Sequence, residues 1–241
     1  MWISRYIGLF AIYGILGWVY ESTFCTIKTK KWENRGFLYG PLCPIYSVGA
    51  ISISLIVSLC RSNGLELNSW KIFLISFLGS MILEYITSWG LEKLFHAIWW
   101  DYSHLPLNLK GRISLFTSIG FGLGGMLIVY VIAPFSENVV DKIPAIWMEL
   151  IALLFVMIFS IDMTLTITAL TSFEDMIINA EKFFDGRMEN LVGNAQNRMC
   201  YYGKLGKKAI RRVKKFKYIK INSEKINNFL NEVKSTISGD T

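Results

Sequence analysis

The sequence predicts an all-α membrane protein in which five transmembrane helices, with the N-terminus outside, precede a basic amphipathic helical tail in the cytoplasm. Apolar content is the first reason, since the 241 residues are 53% hydrophobic and 15% aromatic, with a mean hydropathy of +0.40. Charge distribution is the second, since residues 172–241 hold 14 of the 25 Lys and Arg. A soluble domain of this length does not bury so much apolar surface. We therefore divide the chain into a transmembrane domain, 1–171, and an aqueous tail, 172–241.

Five apolar stretches of the sequence are long enough to cross a bilayer. A hydrocarbon core about 30 Å thick requires roughly 20 residues of helix at about 1.5 Å each. The first stretch has no small-residue cleavage motif, and we interpret it as a retained helix and not as a signal peptide. The predicted spans lie near residues 5–25, 42–60, 72–92, 113–134 and 145–171.

The positions of Lys and Arg between the spans predict the orientation. With the N-terminus outside, the loops that face the cytoplasm contain seven Lys and Arg residues, and the outward segments contain four. Basic loops resist translocation, so this orientation is favoured, and five spans then place the basic tail in the cytoplasm as well. The predicted location is the cell membrane, with several spans and a cytoplasmic C-terminus.

A polar stripe follows the third predicted span. Ser80, Glu84, Ser88 and Glu92 recur every four residues, and such a step rotates the direction of the side chain by only about 40°. An ionised carboxylate at the centre of a bilayer costs about 3 kcal/mol on insertion scales. The stripe is therefore predicted to face protein or water instead of lipid.

Small residues mark faces on which helices approach closely. In the first span Gly14 and Gly17 precede Glu21 at steps of three and four residues, and this face is a candidate partner for the polar stripe of the third span. In the fourth span the G-x-x-x-G spacing of Gly120 and Gly124 predicts tight helix packing. The alternative for the fourth span is a partly unwound helix around a substrate.

Asp162 is the acid placed deepest within a predicted span, and Thr166 follows one turn later. Acids inside membranes often serve transport, so proton relay or contact with a cation is one interpretation of Asp162 and Glu84. The other interpretation is a structural carboxylate that accepts a hydrogen bond from a threonine or lies at the interface.

Two segments between spans are rich in turn-forming or polar residues. Residues 34–47 read NRGFLYGPLCPIYS, whose glycines and prolines predict a rigid non-helical approach to the second span, with re-entry into the bundle as one form of it. Residues 93–112 read KLFHAIWWDYSHLPLNLKGR and contain both histidines of the chain. The second segment therefore brings dense polar chemistry to one face of the membrane.

These segments also carry a family resemblance. GWVYE at 17–21, GFLYGPLCPIY at 36–46 and LEYITSWGLEKLFHAIWWDYSHLPLNLKGRI at 83–113 resemble the putative ABC-transporter type IV family, the CmpB-like permeases. The similarity covers most of residues 1–135. It implies a membrane permease component whose substrate is unassigned. Since the sequence has no Walker A motif, any ATP-driven transport requires a separate ATPase subunit as partner.

Charged side chains of three spans and of the 93–112 segment form the candidate site. One arrangement is structural, with Arg112 paired to Asp101 or Glu92 beneath the bundle. The other is a single polar cavity that binds an anionic or zwitterionic solute. The candidate residues are Glu21, Glu84, Glu92, His96, Asp101, Arg112 and Asp162.

No catalytic residue, cofactor or metal is predicted. The sequence contains no G-x-S-x-G or H-E-x-x-H motif, and its four cysteines form no C-x-x-C pair. The leading hypothesis is a permease that transports by itself or within a complex. A non-transporting membrane scaffold or sensor is the second hypothesis, and a membrane enzyme that acts on lipid headgroups by acid–base chemistry is the third.

Basic residues dominate the tail. From Arg198 to Lys220 there are ten basic residues and no acidic one, and apolar side chains recur at helical spacing. A basic amphipathic helix is thus predicted to lie on an anionic lipid surface. Nucleic-acid binding is the weaker alternative, because no nucleic-acid-binding motif accompanies the charges. The glycine faces of the spans make a homo-oligomer a reasonable expectation.

Overall fold

A computed structural model of the protein describes residues 2–30, 32, 36–184 and 215–216. The helices are α1 (Trp2–Thr29), α2 (Pro44–Ser62), α3 (Ser69–Phe95), α4 (Leu115–Leu127), α5 (Ala133–Asp141) and α6 (Ala145–Phe184). The two-residue strands are β1 (Ala97–Ile98), β2 (Asn108–Leu109), β3 (Ile113–Ser114) and β4 (Lys215–Phe216). Strands β2 and β3 form an antiparallel pair between α3 and α4, and β1 pairs antiparallel with β4.

Five stretches of helix are long and apolar enough to cross a membrane, which confirms the prediction of an all-helical protein with five such spans. They are Trp2–Ile27, Pro44–Ser62, Ser69–Phe95, Leu115–Asp141 and Ala145–Thr171.

The edges of these spans differ from the predicted ones where local contacts extend a helix. The Asn68 side chain, for example, accepts a hydrogen bond from Lys71 N over 3.0 Å. This cap starts α3 at Ser69 instead of 72. The orientation of the bundle across the membrane stays a prediction.

A π turn carries the fourth span beyond its predicted end at 134. Pro134 has no backbone N–H, and its ring crowds the carbonyl one turn earlier, which disfavours a regular α-helical turn at this point. The chain instead forms a five-residue π segment, Ile128–Ile132, after which Ala133 N bonds to Ile128 O. Helix α5 then continues to Asp141.

Helix α1 lies at the centre of the packing. It runs antiparallel to α2, so that Gly17 contacts Tyr46 near the start of α2. Its first half packs on α5 and α6, where Gly8 admits the Met148 side chain. The buried cluster at this level contains Leu9, Tyr13, Ala50, Ala133, Val140 and Met148.

We refer to the end of the bundle at which α1 begins as the N-terminal end, and to the opposite end, which holds residues 96–114, as the loop end. At the N-terminal end Arg5 joins α1 to α5. Its Nε lies 2.7 Å from Asp141 Oδ1, and its Nη2 lies 3.3 Å from Glu137 Oε2. The three side chains are partly exposed, so each ion pair contributes about 0–1 kcal/mol.

The glycine face of the first span does not pack on the polar stripe of the third span, contrary to our expectation. Gly14 faces Leu42 and Ser47, and Gly17 faces Tyr46. The small residues of α1 therefore make room for the start of α2 and for the segment before it. The reason lies in the chain path, because that segment folds back against α1 and occupies the face that α3 was expected to fill.

The polar stripe of α3 faces the loop-end segment instead. Glu84 accepts a hydrogen bond from Tyr102, and Glu92 pairs with Arg112. Glu84 is 5% exposed, so the prediction that this position avoids lipid is confirmed.

Two glycines of α4 other than the predicted pair bring α4 against α3. Gly122 faces a phenylalanine ring and Gly125 faces the Ser76 side chain. Within the described part of the chain, nothing lies within 4 Å of a Cβ placed on Gly120 or Gly124. The predicted G-x-x-x-G pair therefore makes no close helix contact within the described bundle, and its packing against a second copy of the chain stays a prediction. Helical geometry explains this, because residues 122 and 125 share a face from which 120 and 124 are rotated away.

Alanine substitutions on the two faces of α4 should change the free energy of unfolding in opposite directions. Gly125→Ala forces its methyl group against Ser76 and should lower the free energy of unfolding by about 1–3 kcal/mol. The methyl group of Gly124→Ala meets no described neighbour within 4 Å and should raise the free energy of unfolding by up to about 1 kcal/mol through helix propensity. Thermal unfolding in detergent, followed by tryptophan fluorescence, measures both. Equal losses in the two variants would contradict the assigned packing face.

The predictions for the tail fall largely outside the described residues. Of the stretch 198–220, for which an amphipathic helix is predicted, the structure describes Lys215–Phe216, which are extended and pair with Ala97–Ile98. Helix α6 itself runs for 40 residues, to Phe184, past the predicted domain boundary at 171. Binding of the tail to an anionic lipid surface stays a prediction.

Candidate functional site

A non-helical segment, residues 36–43, lies inside the bundle just before α2, and we call it the re-entrant segment. Gly36 has a φ of +139°, which favours glycine. Leu38 is 1% exposed, and Cys43 N donates to Gly14 O over 3.0 Å. Because Gly14 lies at the middle of α1, the segment reaches the interior of the bundle. Such backbone is tolerated at membrane depth where protein surrounds it.

The Asp162 carboxylate of α6 anchors the re-entrant segment. Oδ1 accepts a hydrogen bond from Tyr39 N over 2.8 Å, and Oδ2 accepts one from Gly40 N over 2.7 Å. Thr166 Oγ1 lies 3.4 Å from Oδ1. A Cβ on Gly40 would lie 2.8 Å from Oδ2, so a larger residue here would displace the carboxylate. Since lipid offers no donor or acceptor to free backbone groups, these bonds satisfy N–H groups that have no helical partner.

Glu21 lies on α1, one turn beyond Gly17, and faces the start of α2. Tyr46 Oη donates to Glu21 Oε2 over 2.5 Å, and Cys25 Sγ lies 4.0 Å from Glu21 Oε1. Gly17 permits this contact because the Tyr46 ring occupies the space of a side chain there. The ring also contacts that of Phe121, with 6.1 Å between centroids.

Glu84 lies on α3 next to the loop-end segment. Tyr102 Oη donates to Glu84 Oε1 over 3.2 Å. The other oxygen, Oε2, is buried and receives no hydrogen bond from any described residue. Buried polar atoms in native proteins are paired in the great majority of cases. A buried carboxylate with one unpaired oxygen therefore retains the capacity to bind a proton or a cation.

The two acids share one electrostatic environment. The charge of Glu21 acts on both Glu84 and Tyr102. Burial, together with the neighbouring Glu84 carboxylate, raises the pKa of Tyr102 well above its usual range. Its hydroxyl therefore stays protonated at neutral pH and continues to donate the bond to Glu84. We call Glu21, Tyr46, Glu84 and Tyr102 the acid–tyrosine site.

Arg112 fixes the loop-end segment to α3. Its Nη2 lies 2.7 Å from Glu92 Oε2, and the two side chains are 14% and 18% exposed. The guanidinium carbon lies 5.2 Å from the centroid of the Tyr85 ring, and the Arg112 carbonyl accepts a hydrogen bond from Trp100 Nε1 over 3.0 Å. The predicted pairing of Arg112 with Glu92 is thus confirmed.

Two further candidates shape the loop-end segment. Asp101 Oδ1 accepts a hydrogen bond from Ser103 N over 2.9 Å and lies against Gly111. His96 ends α3 in a left-handed conformation, with a φ of +48°. These contacts determine the path of the chain between α3 and the β2–β3 pair.

The structure distributes the seven candidate residues over three places. The acid–tyrosine site contains Glu21 and Glu84, and Asp162 holds the re-entrant segment. The four at the loop end are Glu92, His96, Asp101 and Arg112. That all seven line one cavity stays a prediction.

Sequence reasoning did not include the two tyrosines among the candidate residues. Tyr46 follows Glu21 by 25 residues and Tyr102 follows Glu84 by 18, so neither pair has a local spacing that reveals it. The available signal was position, because Tyr46 lies in the segment 34–47, which is rich in glycine and proline, and Tyr102 lies in the polar segment 93–112.

The fold and the site together define a class, namely a membrane protein with five apolar helices, a re-entrant segment and buried carboxylates. Residues 8–167 match the family described as "Putative ABC-transporter type IV". The chain belongs to this family, and the resemblance of its motifs is thereby confirmed. The matched residues include the acid–tyrosine site and Asp162. No curated protein and no solved structure is detectably similar to the chain.

Proposed function

We propose that the protein is the permease component of a transporter and that its acid–tyrosine site binds a proton or a small monovalent cation during transport. Its family and its five apolar helices support the first part. One observation carries the second part: Glu84 is 5% exposed, and its Oε2 receives no hydrogen bond from the described residues. Since the sequence has no Walker A motif, we assign ATP hydrolysis to a separate subunit.

Electrostatics favours a bound positive charge at this site. Tyr46 and Tyr102 are neutral donors, so they orient the carboxylates of Glu21 and Glu84 without neutralising them. Glu84 is buried, so its ionised form carries a desolvation penalty, and the charge of Glu21 acts on the same carboxylate. A proton or cation bound at Glu84 reduces this penalty, and its release restores it. A reversible change of this kind suits a transport cycle.

Two other carboxylates of the spans, those of Asp162 and Glu92, are less able to bind a proton or a cation. Asp162 accepts two backbone hydrogen bonds, and Glu92 is paired with the guanidinium of Arg112. Both acids therefore already have fixed partners for their oxygens. Glu84 differs from them because its described partner is one neutral hydroxyl.

Glu84→Gln is expected to abolish stabilisation by cations. The purified protein is heated in lithium, sodium, potassium or choline chloride at constant ionic strength, and separately over a range of pH. A ligand at about 100 times its Kd stabilises the folded state by about 2.7 kcal/mol, which thermal unfolding detects. Glutamine keeps the size of the side chain and removes its charge, so the response to cation or to pH should disappear.

Glu66→Gln is the matched control, because Glu66 is exposed in the connection between α2 and α3. It should retain the response of the wild type. A response that persists in Glu84→Gln would contradict binding at this site. Absence of any response in the wild type, to every cation and to pH, would contradict the proposal as a whole.

A non-transporting scaffold is the alternative that a specific observation favours. Asp162 and Arg112, two of the charged candidates, both hold segments of the chain in place. A scaffold with such anchors should tolerate the neutral variants Glu21→Gln and Glu84→Gln without loss of its cellular function. A transporter should lose it, and this complementation test separates the two hypotheses.

A further inference from the structure

Three hydroxyl groups meet between α1, α2 and α5, in the half of the bundle nearer the N-terminal end. They belong to Tyr13, Ser54 and Ser136. Tyr13 is 4% exposed and Ser136 is 0% exposed. The Tyr13 hydroxyl lies close enough to both serine hydroxyls to interact with them. Apolar side chains, among them Leu9 and Ala133, surround the group.

All three hydroxyl oxygens are buried, and none has a hydrogen-bond partner of normal length and angle among the described residues. A buried hydroxyl without a partner is destabilising, and inside a membrane bundle bulk water does not relieve the penalty. Here three such groups are contributed by three helices, and both serine hydroxyls lie near that of Tyr13. The arrangement therefore indicates a bound molecule that supplies the missing hydrogen bonds.

We propose that these three hydroxyls bind one water molecule within the bundle. A buried water makes about two to four hydrogen bonds to groups that are otherwise unsatisfied, and three hydroxyls that each donate or accept meet this requirement. Water fits better than a cation because the three ligands are neutral.

The water site lies halfway along α1, between Arg5 and Glu21. Tyr13 is eight residues from Arg5 and eight residues from Glu21, and eight residues of α-helix correspond to about 12 Å. The bound water therefore lies midway between the ion pairs of the N-terminal end and the acid–tyrosine site. It divides the apolar interior of α1 into two short stretches. The inference rests on the hydroxyls alone and does not depend on the proposed function.

Radiolytic labelling of the full-length protein in detergent tests the water site. An X-ray pulse produces hydroxyl radicals from bound water, and these modify an adjacent tyrosine ring even where solvent does not reach it. Tyr13 is therefore expected to be oxidised in spite of its burial. In the double variant Ser54→Ala and Ser136→Ala the water loses two of its three partners, and the modification of Tyr13 should be lost.

Ser62→Ala is the matched control, since Ser62 lies on the exposed part of α2 and bonds to Leu59 O of its own helix. It should leave the labelling of Tyr13 unchanged. Failure of Tyr13 to be labelled in the wild type, while Trp32, which is exposed outside the spans, is labelled, would overturn the proposal. Labelling of Tyr13 that is unchanged in the double variant would overturn it too.

A second measurement covers the case in which the double variant does not fold. The melting temperatures of Tyr13→Phe, Ser136→Ala and their combination are compared in sodium and in choline chloride. If the two side chains share one water, the melting temperature of the combined variant should fall by less than the sum of the decreases in the two single variants. Strict additivity would overturn the proposal. A wild-type melting temperature that rises with sodium, and no longer does so in Ser136→Ala, would identify the ligand as a cation and would also overturn it.

Discussion

Asp162→Ala should lower the free energy of unfolding by about 3–5 kcal/mol, because the N–H groups of Tyr39 and Gly40 would lose their acceptors inside the bundle. Each unsatisfied buried donor costs about 1–3 kcal/mol, and bonds to a charged acceptor are the stronger ones. For a protein of this size the melting temperature should fall on the order of 10 °C. Thermal unfolding in detergent, followed by tryptophan fluorescence, measures the change.

Asp162→Asn should lie between the wild type and Asp162→Ala. Its amide oxygen accepts one of the two bonds, whereas its NH2 group faces the other donor. Thr164→Ala is the control on the same helix, because the exposed Thr164 hydroxyl bonds to Ser160 O over 2.8 Å within α6. Its effect should stay within about 0.5 kcal/mol. If Asp162→Ala has the same melting temperature as the wild type, the carboxylate does not anchor the re-entrant segment.

Arg112→Ala is expected to destabilise the protein by about 3 kcal/mol, since it leaves the Glu92 carboxylate without its ion-pair partner. The Glu92 side chain is 18% exposed, so solvent compensates little of the lost interaction. The variant also removes the packing of the guanidinium on Tyr85. Chemical or thermal unfolding at neutral pH gives the difference in stability.

A paired replacement distinguishes loss of the ion pair from general damage to the loop-end segment. Arg112→Met combined with Glu92→Leu removes both charges and keeps apolar volume, so it should recover most of the stability lost in Arg112→Ala. Lys110→Gln is the control, because Lys110 lies two residues from Arg112 and its side chain is exposed. The stability of this variant should remain within about 0.5 kcal/mol of that of the wild type. A double variant as unstable as Arg112→Ala would show that the charge on Glu92 is not the source of the loss.

The number of spans could be predicted from the sequence because it depends on the solvent and not on tertiary contacts. Lipid requires about 20 apolar residues per helix whatever the helix packs against. The π turn before Pro134 could not be predicted from the sequence in the same way. A proline predicts a disturbance of the helix, but it does not predict whether the helix ends or continues after an extra residue in the turn.

The packing faces were harder to predict, because small residues identify a helix face but not its neighbour. Gly120 and Gly124 have the spacing of a packing motif, yet the face of α4 that meets α3 carries Gly122 and Gly125. Every glycine in this run has a partner of similar size three or four residues away. The choice between the faces follows from where α3 lies, which local spacing does not encode.

The acidic residues of the candidate site could be predicted from the sequence, but their hydrogen-bond partners could not. Glu21, Glu84 and Asp162 are conspicuous because charge is rare inside apolar helices. Their roles differ because one faces a tyrosine of the next helix, one faces a tyrosine of a loop and one faces backbone amides. Backbone amides carry no signature in the sequence, so the structural role of Asp162 became visible with the fold.

The contact of Asp162 with the re-entrant segment also has a consequence for biogenesis. The residues that it joins are 122 and 123 positions apart, so the first two spans and the segment between them are synthesised long before their acceptor. Until the fifth span enters the bilayer, the N–H groups of Tyr39 and Gly40 have no carboxylate to receive them. The hydrogen bonds of the first helical hairpin are therefore completed by the fifth span, and a chain truncated before α6 lacks the carboxylate that accepts them.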